Sequence, residues 1–229
     1  MVQILSIDTT MELCSVAIFK GNEIFFDAID SQGEHSHKIL PLIQRCLKIS
    51  KSNLKEIDLL ACANGPGNFS GTRISVCTIQ GISIAMNIPV VSFSSPMVIA
   101  QGLYRCFGIK EVVIYLRINR EKIHRSYFRL IGSKWIEDEG DKLCSLEEIM
   151  RTDHLKGRSI FCKGYRLRQK DDLFSTDTLI DDLGKRSMKE KEKSFPNAKD
   201  VILLAYNAWK NGTIELAEEI FPNYFKDIP

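Results

Sequence analysis

Polar and apolar residues alternate along the opening of the chain and then recur every three or four positions, and each spacing predicts a different element. Val2 to Ile7, Cys14 to Lys20 and Glu23 to Ile29 read as strands with short connections, the second turned into the third by Gly21-Asn22. Together they make an antiparallel meander. From His35 to Ile49 the residues Ile39, Leu42, Ile43, Cys46 and Leu47 repeat at helical spacing, and Leu40 and Ile49 widen the stripe beyond what one sheet contact requires. A buried strand is then expected over Ile57 to Ala63, a helix over Ser70 to Met86, a strand over Pro89 to Phe93 and a helix over Ser95 to Cys106. That succession is a right-handed βαβα run.

The pattern is less regular beyond this point. Strands at Glu111 to Arg117 and Lys122 to Ile131 flank a turn at Asn119-Arg120, a helix is expected over Leu146 to Arg151, and Ser159 to Cys162 is a short strand. A last helix runs from Ala198 to Asn211, opened by Pro196 and Asn197 and stopped by Gly212. Three antiparallel strands followed by helix, strand, helix, strand is the succession of the ribonuclease H-like fold, which also builds each half of the actin and sugar-kinase superfamily. The chain is therefore read as α/β with two related lobes. Residues 1–107 form the first, and residues 108–229 a smaller, degenerate second lobe closed by the C-terminal helix and tail. No internal sequence repeat is visible.

With 229 residues, 44% hydrophobic and 26% charged, the composition is that of a water-soluble protein with room for a sizeable core. No apolar run approaches the ~18 residues of a membrane span, and Met1 leads straight into strand-like sequence, so a cytoplasmic protein with no membrane contact is expected. Seven scattered cysteines without a Cys-x-x-Cys pair read as reduced core thiols rather than zinc ligands. The net charge of +2 hides three basic groups: Arg117 to Arg129, Lys163 to Lys170, and the mixed run Lys185 to Lys193. Each is either a solvated face or, if the groups shared a face, a source of salt-dependent contacts to an RNA backbone.

Candidate chemistry gathers where strand 57–63 enters Asn64-Gly65-Pro66-Gly67-Asn68-Phe69-Ser70-Gly71-Thr72-Arg73. Free amides and the positive end of a helix dipole meet at such a junction, so Gly65, Gly67, Ser70, Gly71 and Arg73 suit an anion; Asp8, Thr9 and Thr10 at the end of the first strand resemble a phosphate loop facing it. The alternative is a rigid turn whose glycines permit close packing, with Asp8 capping local amides. A P-loop is excluded because Thr72 and Arg73, not Lys and Ser or Thr, follow the last glycine. A dinucleotide fingerprint is excluded because Gly65, Gly67 and Gly71 are spaced one residue too wide.

These residues carry a family resemblance. Ile4-Leu5-Ser6-Ile7-Asp8-Thr9-Thr10, Glu34-His35-Ser36 with Leu40-Pro41, Gly65 through Ile74, and Pro222-Asn223-Tyr224 resemble the TsaB (YeaZ) family, densely over residues 1–95 and thinly afterwards. The resemblance implies a dimerisation subunit of the bacterial complex that makes threonylcarbamoyladenosine at position 37 of certain tRNAs. It implies pairing with the catalytic subunit TsaD, joined by the ATPase TsaE, a homodimer when the subunit is alone, and contact with tRNA only through the complex. Leu116-Arg117-Ile118-Asn119-Arg120 stands where the family usually carries an Asp-Ala-Arg-like motif, which reverses a charge.

The catalytic relatives place two histidines at i and i+4 on the helix after the third parallel strand, whereas this chain reads Ser94-Ser95-Pro96-Met97-Val98-Ile99-Ala100 there. His35 and His37 are two apart and point to different sides of a helix. No second phosphate loop follows, since Lys185 and Arg186 succeed Asp182-Leu183-Gly184. The chain is thus read as a non-catalytic scaffold with no metal and no cofactor. Its partner surface is expected on His35, Ile39, Leu40, Ile43 and Leu47 of the first helix and Ile74, Cys77, Gly81 and Ala85 of the second. The alternative readings are a metallopeptidase-like or small-molecule-kinase-like enzyme of the same superfamily.

Overall fold

The computed structural model describes residues 1–117, 123–145, 148–149, 159–163, 178–181, 184–187 and 196–224. The expected turn at Asn119-Arg120, most of the helix expected over Leu146 to Arg151, Asp182-Leu183, His154 and the basic positions 166–170 and 189–193 lie outside them.

The first unit comprises Met1–Gly102 and Phe195–Tyr224. Its sheet is built from β1 (Ile4–Asp8), β2 (Leu13–Lys20), β3 (Glu23–Asp30), β4 (Leu59–Ala63) and β5 (Val90–Phe93), in the order β3-β2-β1-β4-β5. β1 runs antiparallel to β2 and parallel to β4. β1 and β4 are buried at every position, because helices cover both sides of the sheet. On one side α1 (His35–Ile49) and α2 (Phe69–Met86) close a core in which Ile39, Leu42, Ile43 and Cys46 meet Leu5, Ile7 and Val16, and Val76 and Ile79 meet Leu60 and Val90. α3 (Ser95–Phe107) leads out of the unit.

The opposite side is covered by α4 (Ala198–Lys210), which packs on β1, β2 and β4. This corrects the expectation that the last helix and tail close the second lobe. Ala198, Val201, Ile202 and Ala205 form an apolar stripe with small residues that fits against the sheet, and Ser6 Oγ donates to Ala198 O at 2.8 Å while Ala198 N donates to Ser15 Oγ at 3.0 Å. The helix begins cleanly because Asn197 Oδ1 accepts from Lys199 N.

The second unit comprises Leu103–Ser194 and Phe225–Pro229. Its sheet holds β6 (Glu111–Arg117), β7 (Ile123–Ile131), β8 (Lys134–Cys144), β9 (Ser159–Lys163), β10 (Thr178–Asp181) and β11 (Gly184–Ser187), ordered β11-β10-β9-β6-β7-β8. The meander β6-β7-β8 with β9 parallel to β6 repeats the connectivity of the first sheet, but β10 joins β9 antiparallel where the first unit has a parallel strand. The copy is thus altered at its last strand. β8, β10 and β11 are strands beyond those expected. β8 is an edge strand rich in charge, and of its described side chains only Trp135 is fully buried, so its alternation is faint in the sequence. Among the described residues no helix is long and apolar enough to cross a membrane.

Candidate functional site

The end of β1 meets the start of α2 through backbone packing. Asp8 is buried, and its Oδ1 accepts from Thr10 N at 2.8 Å and from Thr10 Oγ1 at 2.7 Å, which closes a tight turn at the strand end. Thr9 Oγ1 donates to Gly71 O at 2.6 Å, Asn68 N donates to Thr10 O at 2.6 Å, and Ser95 Oγ donates to Thr10 Oγ1 at 3.1 Å. A methyl group on Gly71 would overlap the carbonyl oxygen of Thr9, and one on Gly67 the carbonyl of Thr10. The glycines therefore let two stretches of backbone touch.

All eight residues of the expected anion loop, Asp8, Thr9, Thr10, Gly65, Gly67, Ser70, Gly71 and Arg73, come together here or at its margin. The backbone carbonyl oxygens of Thr9 and Thr10 lie directly against Gly71 and Gly67. Ser70 Oγ is turned to Asn68 Oδ1 at 3.1 Å. Arg73 is directed elsewhere: its guanidinium lies 3.8 Å from the Phe69 ring centroid and its Nε donates to Tyr224 OH at 2.6 Å. The glycines admit close backbone packing, and Asp8 caps the local turn.

Tyr224 belongs to a C-terminal strap that runs along the flank of α2, a feature whose place the sequence did not reveal. Glu215 bridges to Val90 through reciprocal backbone bonds and its carboxylate accepts from Ser92 N at 2.7 Å. Gln80 Nε2 donates to the carbonyls of Ala217 and Ile220, and Ile220 drops into the core. Asn223 N then donates to Asn64 O at 2.7 Å, and the Tyr224 ring lies 5.4 Å from that of Phe69. The Pro222-Asn223-Tyr224 motif was the signal, but its partners lie some 150 positions upstream, Arg73 among them.

The expected partner surface divides by direction. His35, Ile39 and Ile43 turn inward; Ile43 is 3% exposed and packs in the core beneath α1, so these three serve the chain's own fold and a charge at Ile43 would report on folding. Leu47 and Ile74 are half-buried at the margin. Leu40, at 56% exposure, together with Cys77, Gly81 and Ala85, faces outward. No atom stands within 4 Å of a methyl group built on Gly81. Two exposed residues join them that the sequence reading omitted, Ile84 at 75% and Phe69 at 60%. The row 73, 77, 81, 84 is the signal that marks Ile84, one turn of spacing from Gly81.

The thiols separate in the same way. Cys14, Cys46 and Cys62 are fully buried, and burial pushes each up, with Asp8 adding to the effect on Cys14 and Cys62 and Asp27 on Cys46; Cys14 and Cys46 rise from 9.0 to about 12. Cys77 and Cys106 are exposed. An alkylating reagent at neutral pH is expected to label Cys77 and Cys106 in the native protein and to reach the other three only in denaturant. Because the unfolded chain loses these protons near pH 9 and the folded chain retains them to about 12, stability is full below 9 and falls as pH climbs from 9 toward 12. Urea midpoints measured across that range check the sign, and a midpoint that rises with pH would contradict it.

Among the described residues no three His, Cys, Asp or Glu side chains converge to hold a metal ion. A family model described as "TsaD: tRNA N6-adenosine threonylcarbamoyltransferase" matches residues 29–227. The chain is 30% identical over 202 residues to the "tRNA threonylcarbamoyladenosine biosynthesis protein TsaB" of Buchnera aphidicola subsp. Schizaphis graminum, covering 87% of this chain and 90% of that protein. It is 29% identical to the protein of the same description from Buchnera aphidicola subsp. Acyrthosiphon pisum, with 96% of each covered. A solved structure described as "YeaZ from Pseudomonas aeruginosa" superposes with a TM-score of 0.76 at 23% identity, over 98% of this chain and all of that one, and so shares the fold.

Proposed function

The chain belongs to the TsaB (YeaZ) family, whose members are described as acting in tRNA threonylcarbamoyladenosine biosynthesis, and we propose that it is the scaffold subunit of that pathway rather than its catalyst. The observation that carries this reading is the composition of α2. Its eighteen residues include one charged side chain, Arg73, yet Phe69, Cys77, Gly81, Ile84 and Ala85 are exposed. A helix apolar on nearly every side belongs under cover, and the sheet covers only one side of this one. Cys77, Gly81 and Ala85 are small and stand at intervals of four, which lets another helix approach closely.

The occupant of that face is a TsaD-type catalytic subunit, with a TsaE-type ATPase joining the pair in the cytoplasm. The role of this chain is to hold the catalytic subunit in a working arrangement while transfer to the tRNA adenosine takes place on the partner. Two features support a non-catalytic role. The helix after β5 begins Ser95-Pro96-Met97-Val98 without imidazoles, and the junction of β1 and α2 is filled by its own backbone contacts. Binding of a TsaD-type subunit is expected to shield Cys77 from alkylation at least about tenfold, since a standard interface of ~1,600 Å² excludes water at its centre. Cys106, on α3, serves as the internal control. A complex in which Cys77 reacts at its free rate would place the interface elsewhere.

A further inference from the structure

The side of the first sheet that carries α4 lies opposite α1 and α2 and has a chemistry of its own. Lys199, Leu203, Tyr206 and Lys210 share one stripe of α4, with the two lysines eleven residues, or about 16 Å, apart. Each lysine is laid over an aromatic ring: Lys199 Nζ stands 4.1 Å from the Phe26 ring centroid, and Lys210 Nζ 4.3 Å from that of Tyr206. Tyr206 in turn lies 4.8 Å from Phe19, and Trp209, beside Lys210, is 37% exposed. Because α4 packs mainly on β1, β2 and β4, the β3 margin of this side stays open, with Ile24 exposed and Phe26 half-buried. Neither ammonium forms a salt bridge among the described residues. The one carboxylate of α4, Asp200, is wholly buried, and β2 has none. In β3, alternation sends Asp27 to the α1 side, where it meets Arg45, and Glu23 with it. Asp30 stands four residues beyond Phe26, about 13 Å along the strand, and exposed Glu12 adjoins that end. The Asp58 and Glu215 carboxylates, on the β4 and β5 side, accept from Gln3 N and Ser92 N.

From this arrangement we propose that the α4 face is a contact site for an unpaired strand of RNA, so that the chain touches RNA directly and not only through a partner. Stacked bases and a charged backbone need two things from a protein, flat π-faces and cations spaced along the strand. Phe26, Tyr206 and Trp209 supply the first, and Lys199 and Lys210 supply the second at the two ends of the stripe. A lysine that rests on a ring without a carboxylate partner can swing on its flexible stem to a phosphate, and the ring it leaves is open to a base. An acidic peptide would satisfy the ammoniums but brings no planar group to the rings. The surface offered to a catalytic subunit in the scaffold reading is on the other side of the sheet, so one contact does not block the other.

Fluorescence anisotropy of a labelled oligouridylate of about 12 nucleotides, titrated with the full chain, tests the proposal. Binding at about 50 mM sodium chloride is expected to weaken roughly sevenfold at about 200 mM, the dependence of two phosphate contacts on a single strand. Lys199→Gln and Lys210→Gln are each expected to remove about half of that salt dependence. Tyr206→Leu, which keeps an apolar contact with Phe19, is expected to weaken binding roughly fivefold or more at either salt concentration, and circular dichroism checks that all three variants are folded. A polyglutamate peptide of the same charge is expected to bind at least about tenfold more weakly than the RNA, since it has no bases to stack. The proposal is overturned if the RNA does not bind, if polyglutamate binds as well, or if the three substitutions leave RNA binding unchanged, as contacts made by the basic groups of the second unit would. The Cys77 footprint tests the scaffold reading separately, because it reports on the opposite side of the sheet.

Discussion

Gly81→Arg is expected to abolish capture of a TsaD-type subunit while the chain remains folded. Gly81 lies at the middle of the exposed side of α2 with open space where a side chain would begin, so arginine has room in the isolated protein. Helix propensity favours the change by up to ~1 kcal/mol, which leaves the thermal midpoint unchanged or slightly raised. In a complex that closes over this helix, the same side chain stands where another helix must approach, and a guanidinium without a partner is taken out of water. Unpaired charges and clashes at an interface centre cost about 2–4 kcal/mol or more, a loss on the order of 100-fold in affinity. Co-purification and a melting curve on the same preparation check both halves of the expectation. Undiminished capture would remove α2 from the interface.

A matched pair of glycine substitutions within one helix should give opposite results. Gly81→Ala adds a methyl group in open space and is expected to raise stability by about 0.5–1 kcal/mol. Gly71→Ala adds one against the carbonyl oxygen of Thr9, an atom held in place because Thr9 Oγ1 is bonded to Gly71 O. Backbone meets backbone, so neither side relaxes cheaply, and a loss of about 3 kcal/mol or more is expected, enough to consume much of the stability of an ordinary domain. Urea denaturation of the two variants beside the parent measures the difference. Since helix propensity differs between the two sites by less than ~1 kcal/mol, a gap larger than that reports the contact between the end of β1 and the start of α2. A Gly71→Ala protein as stable as the parent would mean that these backbones do not touch.

How far the molecule can be read from its residues differs between its two units. The first sheet and its helices emerge within a few positions of their expected limits because each is announced locally, by alternation in β2 or by a stripe in α1. β8 was not legible, since a charged edge strand with one fully buried described side chain has almost no period to detect. In α1 the stripe was widened by Leu40 and Ile49, so Ile39 and Ile43 looked as available to a partner as Leu40. The fold turned the first two into core and left the third outside. In α2 the apolar residues lie nearly all round, and no asymmetry in the sequence told which of them the sheet would take.

The residues alone determined the order of elements in the first unit, the junction glycines and the family, because each depends on chemistry between neighbours in the chain or on a motif of consecutive positions. Only the tertiary structure decided which faces stay outside, that α4 closes the first sheet, and that Tyr224 latches onto Arg73. Those outcomes depend on pairs as distant as Ser6 and Ala198, and a periodicity of consecutive residues says that a face will be buried without saying against what.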